Sequence, residues 1–234
     1  EYNPVIAQQR LHRLFNGIIK LVEIERAGIR VDNLVIGLLG DLIQGDIHEK
    51  ENNAMSSTEA LLTVKNLLED GINLLLQVGN FKKIKIVCVV GNHGRIGERI
   101  SYQKGWQNSY EFIIYKMLSE YYENVPQIEF IMPQGDFAYL DIYDYSIRFF
   151  HGNQIRYRDG IGGLTIPLTK AIWKIDKGRK AYLSVLGHWH QLSDGEDFIV
   201  NGSVVGQDAY AVSNFCPFTL PKQAFFLIDK EHGK

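Results

Sequence analysis

The chain has 234 residues, 45% of them hydrophobic, and a formal net charge of −2, enough apolar content for one sizeable core and too little positive charge for a global field that recruits nucleic acid. A polyanion must therefore be held by local charge or by metal. Two cysteines, Cys88 in an apolar run and Cys216 before Pro217, exclude a disulfide scaffold and suit a reducing compartment; with no signal peptide and no bilayer-length apolar run, a soluble cytoplasmic protein is expected.

Residues 4–27 carry a helical apolar period (Ile6, Leu11, Leu14, Phe15, Ile18, Ile19, Leu21, Val22) that stops at Gly28. The continuous apolar run 33–39 predicts a strand covered on both faces, ending in Gly40-Asp41-Leu-Ile-Gln-Gly45. An aspartate there, flanked by glycines that let the chain turn, projects into the crevice where α/β sheets bind ligands. Residues 57–76 predict a second amphipathic helix, capped by Ser56 or Ser57 with Glu59 in the first turn. The apolar run 84–90 repeats the strand pattern and ends in Gly91-Asn92-His93-Gly94-Arg95. Strand, helix, strand argues a parallel βαβ unit, so both polar clusters fall on one sheet edge. There Asn92 offers an amide oxygen to a cation, His93 a proton near neutral pH, and Arg95 a fork for phosphate.

Helical spacing returns over residues 107–122, with Phe112, Ile113, Tyr115, Met117 and Leu118 as candidate core, and Trp106 and Tyr110 read first as packing residues and second as base-stacking ones. Strands are predicted over 128–132, 137–142 and 146–150, with a hairpin turn at Tyr143-Asp-Tyr145, and the last runs into His151-Gly152. Residues 153–180 are basic and Gly-rich, including Arg156 and Arg158; they read as a loop and solvated helix face, or as charge that guides a phosphate polyanion. The run 181–186 predicts a buried strand ending in Gly187-His188-Trp189-His190, followed by strands near 197–200 and 224–229. If the segment stays extended, the two imidazoles face the same way and can hold metal.

Four of the seven histidines (His93, His151, His188, His190) thus lie at predicted strand ends with Asp41 and Asn92, a carboxylate, amide and imidazole set that suits Mn²⁺, Fe or Zn²⁺. The ordered series Gly40-Asp41, Gly91-Asn92-His93, His151-Gly152 and Gly187-His188-Trp189-His190 resembles the calcineurin-like metallophosphoesterases. The stretch 40–49, with Asn201-Gly-Ser203, is similar to their phage- and prophage-type branch. The resemblance implies one calcineurin-like domain over residues 1–234, an α/β fold built as a two-sheet αββα sandwich, and two divalent cations, manganese foremost, at the strand ends. It implies Asp41 as bridging ligand, Asn92, His151 and His188 completing one site, and His190 in the other. His93 is implied as general acid, helped by Arg95, and His48, Arg156 and Arg158 are placed near substrate. The implied reaction is phosphodiester hydrolysis of DNA, RNA or a nucleotide away from any membrane. A phosphomonoesterase and a non-catalytic DNA- or partner-binding module stand as alternatives.

Two departures qualify the resemblance. The family's opening Asp-x-His strand has no match in residues 1–40, and Asp46-Ile-His48, which spells it, follows Asp41 in the same loop; the chain is expected to lack that first strand and to hold one cation site incompletely. Gly94 stands where many members place an acidic residue that orients the histidine.

Overall fold

A computed structural model describes residues 2–47, 53–97, 99, 101, 103–157, 163–207, 212–213 and 218–234. Helix α1 (Pro4–Arg26) starts where the Asn3 side chain accepts the Ile6 N–H at 3.0 Å and Pro4 presets the first helical φ. Its last residue, Arg26, donates to the carbonyls of Val31, Gly79 and Asn80 and lies over the Phe81 ring, which ties the end of α1 to the end of α2 (Ser57–Val78). Of the two serines offered as caps, Ser56 is the one used, and it forms a reciprocal capping box with Glu59 at the start of α2.

Strands β1 (Asn33–Leu38), β2 (Lys83–Cys88) and β3 (Ile128–Ile131) form a parallel sheet in the order β1-β2-β3. Helix α3 (Tyr110–Tyr121) connects β2 to β3. The second sheet has the order β4-β5-β6-β8-β7, from β4 (Phe137–Ile142), β5 (Tyr145–Phe150), β6 (Leu183–Leu186), β7 (Ser193–Asp194) and β8 (Phe198–Val200). Pairing of Ile142 with Tyr145 closes the predicted hairpin at Tyr143-Asp144. Helix α4 (Thr165–Asp176) precedes β6.

The period of two along each strand divides these side chains among three apolar layers. Ile84, Ile86 and Cys88 of β2 pack with Phe15, Leu68, Leu75, Ile114 and Leu118 under the three N-terminal helices. Val87 and Val89 point the other way and meet Ile147, Phe149, Leu183 and Val185, so this middle layer joins the two sheets. Phe150, Leu186 and Val200 face outward onto Leu168 and Ile172 of α4. Helices, sheet, sheet and helix therefore stack as an α/β two-sheet sandwich, as expected.

Two local expectations, the strand at 224–229 and Ile113 in the core, differ from the structure, while the packing role of Trp106 agrees. Among the described residues, 224–228 join no strand ladder and Asp229 pairs only with Gly233: Phe225 enters the first core and Phe226 and Ile228 the middle one, but Ala224 N–H is spent on the Asn201 side chain. Apolar alternation reports an extended, half-buried chain and not a hydrogen-bonding neighbour. Ile113 is 39% exposed, because the buried stripe of α3 runs through Glu111, Ile114, Tyr115 and Leu118. Trp106 sits edge-on to Phe112 at 5.1 Å, a packing role. No helix among the described residues is long and apolar enough to cross a membrane.

Helices α1 and α2 approach closely because Gly71 leaves room: a Cβ there would stand 2.1 Å from the Phe15 ring. In an exposed helix Gly→Ala stabilises by about 1 kcal/mol, but overpacking a buried ring costs about 1–3 kcal/mol. Gly71→Ala should therefore lower the urea midpoint of unfolding; a raised midpoint would mean that helix propensity outweighs the Phe15 contact.

Candidate metal centre at the strand ends

Parallel pairing within each sheet brings the loops after β1 and β2 to one edge and those after β5 and β6 to the facing edge. The first two loops interlock backbone against backbone. A Cβ on Gly40 would lie 2.3 Å from Gly91 N, and one on Gly91 would lie 2.1 Å from Asp41 Oδ1. Gly40 has φ +83°, a conformation glycine adopts without strain, and Asp41 follows at φ +53°, which a short polar side chain tolerates. The turn aims the carboxylate back at the second loop, where Oδ1 accepts His93 N–H at 2.8 Å.

His151 is the hub. Its Nδ1 lies 2.6 Å from the Leu39 carbonyl oxygen, which can only accept, so Nδ1 carries a proton. Around the opposite nitrogen, Nε2, stand Asn92 Oδ1 at 3.0 Å, Asp41 Oδ2 at 3.0 Å and His188 Nδ1 at 3.2 Å. Asp41 Oδ2 is buried and receives no hydrogen bond. One proton on Nε2 cannot satisfy three acceptor atoms. A divalent cation can, because metal–ligand bonds of roughly 2.0–2.2 Å place neighbouring ligand atoms roughly 2.8–3.6 Å apart in octahedral or tetrahedral geometry. Among the described residues, Asp41, His151 and His188 form a His/Asp cluster with ligand atoms within 4.8 Å of one another, and Asn92 adds a fourth donor. The donor set therefore fits a divalent cation.

The electrostatics agree. Burial alone would raise Asp41, but its interaction with His151 and the nearby His93 hold it down at about 2. Burial opposes charge on His151 as well, yet Asp41 and the Leu39 carbonyl raise it above its ordinary value. His188 is lowered to about 4, first by burial and then by the neighbouring His151. The carboxylate is thus ionised and His188 neutral at pH 7, the ligating forms of both groups.

The remaining expected site residues separate. His93 lies beside the cluster, with Nε2 3.9 Å from Asp41 Oδ2. Arg95 uses its guanidinium on its own loop, donating to the carbonyls of Asn92 at 3.0 Å and Gly97 at 3.2 Å. His188 and His190 do not share a face. The strand ends at Leu186 and both histidines take left-handed backbone, φ +68° and +58°, so the alternation of extended chain does not apply; His188 turns into the cluster and His190 is exposed. Arg156 is exposed, while His48 and Arg158 lie outside the described residues.

One residue at the site escaped the sequence reading. Glu111, in the first turn of α3, is 0% exposed; its Oε1 accepts Leu42 N–H at 2.5 Å and its Oε2 accepts Gly91 N–H at 2.6 Å. Burial first, then the like charge of Asp41, push it up to about 7 against the pull of those two amides. Its signal was positional: 111, 114, 115 and 118 fall on one helical stripe, and Glu111 is its only charged member.

Because a proton and a cation compete for His151 Nε2, cation affinity should fall as pH drops. The raised His151 is protonated below a value above 6.5, and His188 takes a proton only near about 4. Calorimetric titration with Mn²⁺ should show tighter binding at pH 8 than at pH 6, with proton release that makes the heat depend on the buffer. Equal affinity at both pH values, with buffer-independent heat, would mean that Nε2 is not a ligand.

The family model for calcineurin-like phosphoesterases matches residues 9–216. Among solved structures the chain is similar to the zinc complex of Vps29 from Entamoeba histolytica (15% identity, 74% of this chain and 75% of that one, TM-score 0.35). It is also similar to Vps29 from Cryptosporidium parvum (16%, 76% and 77%, TM-score 0.34) and to a predicted phosphoesterase from Streptococcus pneumoniae (12%, 75% and 75%, TM-score 0.30). No curated protein matches the chain. With the family model spanning both ligand loops of each sheet, the chain belongs to the calcineurin-like phosphoesterase family.

Proposed function

We propose that the protein is a metal-dependent phosphoesterase that hydrolyses phosphodiesters, with nucleic acid or a nucleotide as the substrate class, in the cytoplasm. The observation that carries this reading is the convergence of Asp41 Oδ2, Asn92 Oδ1 and His188 Nδ1 on the unshared nitrogen of His151. Asp41, Asn92, His151 and His188 hold one divalent cation, with manganese ahead of iron or zinc, and His190 contributes to a second, less completely held one. A cation bound there supplies charge stabilisation for a phosphoryl group and acidifies water.

The protein's own groups do the rest. The Asp41 carboxylate stays ionised and its Oδ1 is fixed by His93 N–H, so the ligand does not swing when substrate arrives. His93, about 24% exposed and next to Asp41, is placed to hand a proton to the departing oxygen. Arg95 holds the Asn92 carbonyl, and so acts on the ligand loop first. Arg156, with His48 and Arg158, supplies substrate contacts. The phage- and prophage-type branch remains the favoured relationship within the family, on the motif at residues 40–49.

A second reading, a binding module that keeps the fold without catalysis, is favoured by one observation: the described His/Asp cluster contains a single carboxylate and leaves out His190. Assays with bis-p-nitrophenyl phosphate and p-nitrophenyl phosphate in Mn²⁺ separate the readings. Diester hydrolysis exceeding monoester hydrolysis is expected; the reverse points to a phosphomonoesterase, and activity on neither by folded protein points to the binding module. In the same assay His93→Ala should lower turnover by roughly 10²–10⁴-fold with metal content unchanged, whereas a metal-depleted His93→Ala would assign this residue to ligation.

A further inference from the structure

Glu111 is hydrogen-bonded to both of the loops that carry Asp41 and Asn92. Its two oxygens accept the N–H groups of Leu42, one residue after Asp41, and of Gly91, one residue before Asn92. The helix that carries it is itself anchored to the second loop: Tyr110 N–H donates to the Gly94 carbonyl at 2.8 Å, Arg95 and Ser109 form an isolated antiparallel bridge, and Ser109, 1% exposed, caps Glu111 N–H. The space is shaped for this side chain. A Cβ at Gly94 would lie 2.7 Å from Glu111 Cγ and 2.9 Å from Cδ, so any side chain at position 94 would displace the carboxylate.

We propose that Glu111 is a positioning residue that clamps the Asp41 and Asn92 loops at one separation and so sets the cation affinity of the centre. The inference rests on the reading of Asp41, Asn92, His151 and His188 as a cation site. A carboxylate is the side chain that suits the task, since it presents two acceptor oxygens in a fixed plane to two backbone donors that point at it from different loops. Gln has the same shape but turns one of those oxygens into an N–H donor facing a backbone N–H.

The test is calorimetric titration with Mn²⁺ at pH 8 of the full chain, as wild type, Glu111→Gln and Tyr122→Phe. Tyr122 follows α3 at its far end, where its hydroxyl bonds Glu69 and Asn73 of α2, so its loss reports general damage to helix packing. Glu111→Gln should bind Mn²⁺ roughly 10–100-fold more weakly, the range for groups that orient metal ligands, with Tyr122→Phe at wild-type affinity. Wild-type affinity in folded Glu111→Gln, or an equal loss in Tyr122→Phe, overturns the proposal while leaving the cation site standing. Absence of Mn²⁺ binding by wild type overturns the cation site and the proposal with it. If Glu111→Gln does not fold, Glu111→Asp, too short to reach both amides, takes its place with the same criteria; failure of both to fold makes Glu111 a structural residue and also overturns the proposal.

Discussion

The hydrogen bond from His151 Nδ1 to the Leu39 carbonyl is the constraint from which the site follows. It crosses from the end of one sheet to the end of the other, and it decides the protonation of the imidazole. With Nδ1–H fixed on a carbonyl, the neutral ring presents a bare Nε2 to three further acceptor atoms. The bond holds its place because both ends are rooted in the middle apolar layer. Leu39 is buried there beside Val87 and Val89, and His151 directly follows a strand whose Ile147 and Phe149 enter the same layer. Sheet packing, a stability feature, is therefore what brings the donor atoms to a cation's spacing.

The site is also asymmetric in how its parts are supported. Asp41 and Asn92 are held by glycine-tight loops and by Glu111, with almost no room for rearrangement. His188 sits on left-handed backbone past the end of β6, and His190 is exposed one step further. The His-x-His pair is best seen as one residue committed to the cluster and one facing solvent. This asymmetry fits one cation held by four protein groups and another held by fewer.

Much of this was legible in the sequence because strand-end chemistry and apolar period are both short-range signals. The runs at 33–39 and 84–90 fixed the positions of Asp41 and Asn92, and the serine pair with Glu59 narrowed the cap of α2 to Ser56 or Ser57, of which Ser56 is the one used. What was not legible depended on tertiary or backbone detail. Ile113 looks like core by composition but falls off the buried stripe, while Glu111 falls on it and looks like surface by charge; only the two inward-pointing amides explain the exchange. The orientation of His190 turns on a positive φ that no residue-type preference for histidine announces. The terminal run 224–228 shows the same limit from the other side, since apolar alternation is written in it but a strand to pair with is not.

In the proposed centre four side chains converge on a cation through an unprotonated His151 Nε2. The most direct measurement is anomalous diffraction from crystals grown with Mn²⁺. The expected result is a peak bonded at roughly 2.0–2.3 Å to Asp41 Oδ2, Asn92 Oδ1, His151 Nε2 and His188 Nδ1 together, with the His151 to Leu39 bond intact. No anomalous peak between these four atoms in such crystals, with His151 Nε2 instead donating to the Asn92 amide oxygen, would contradict it.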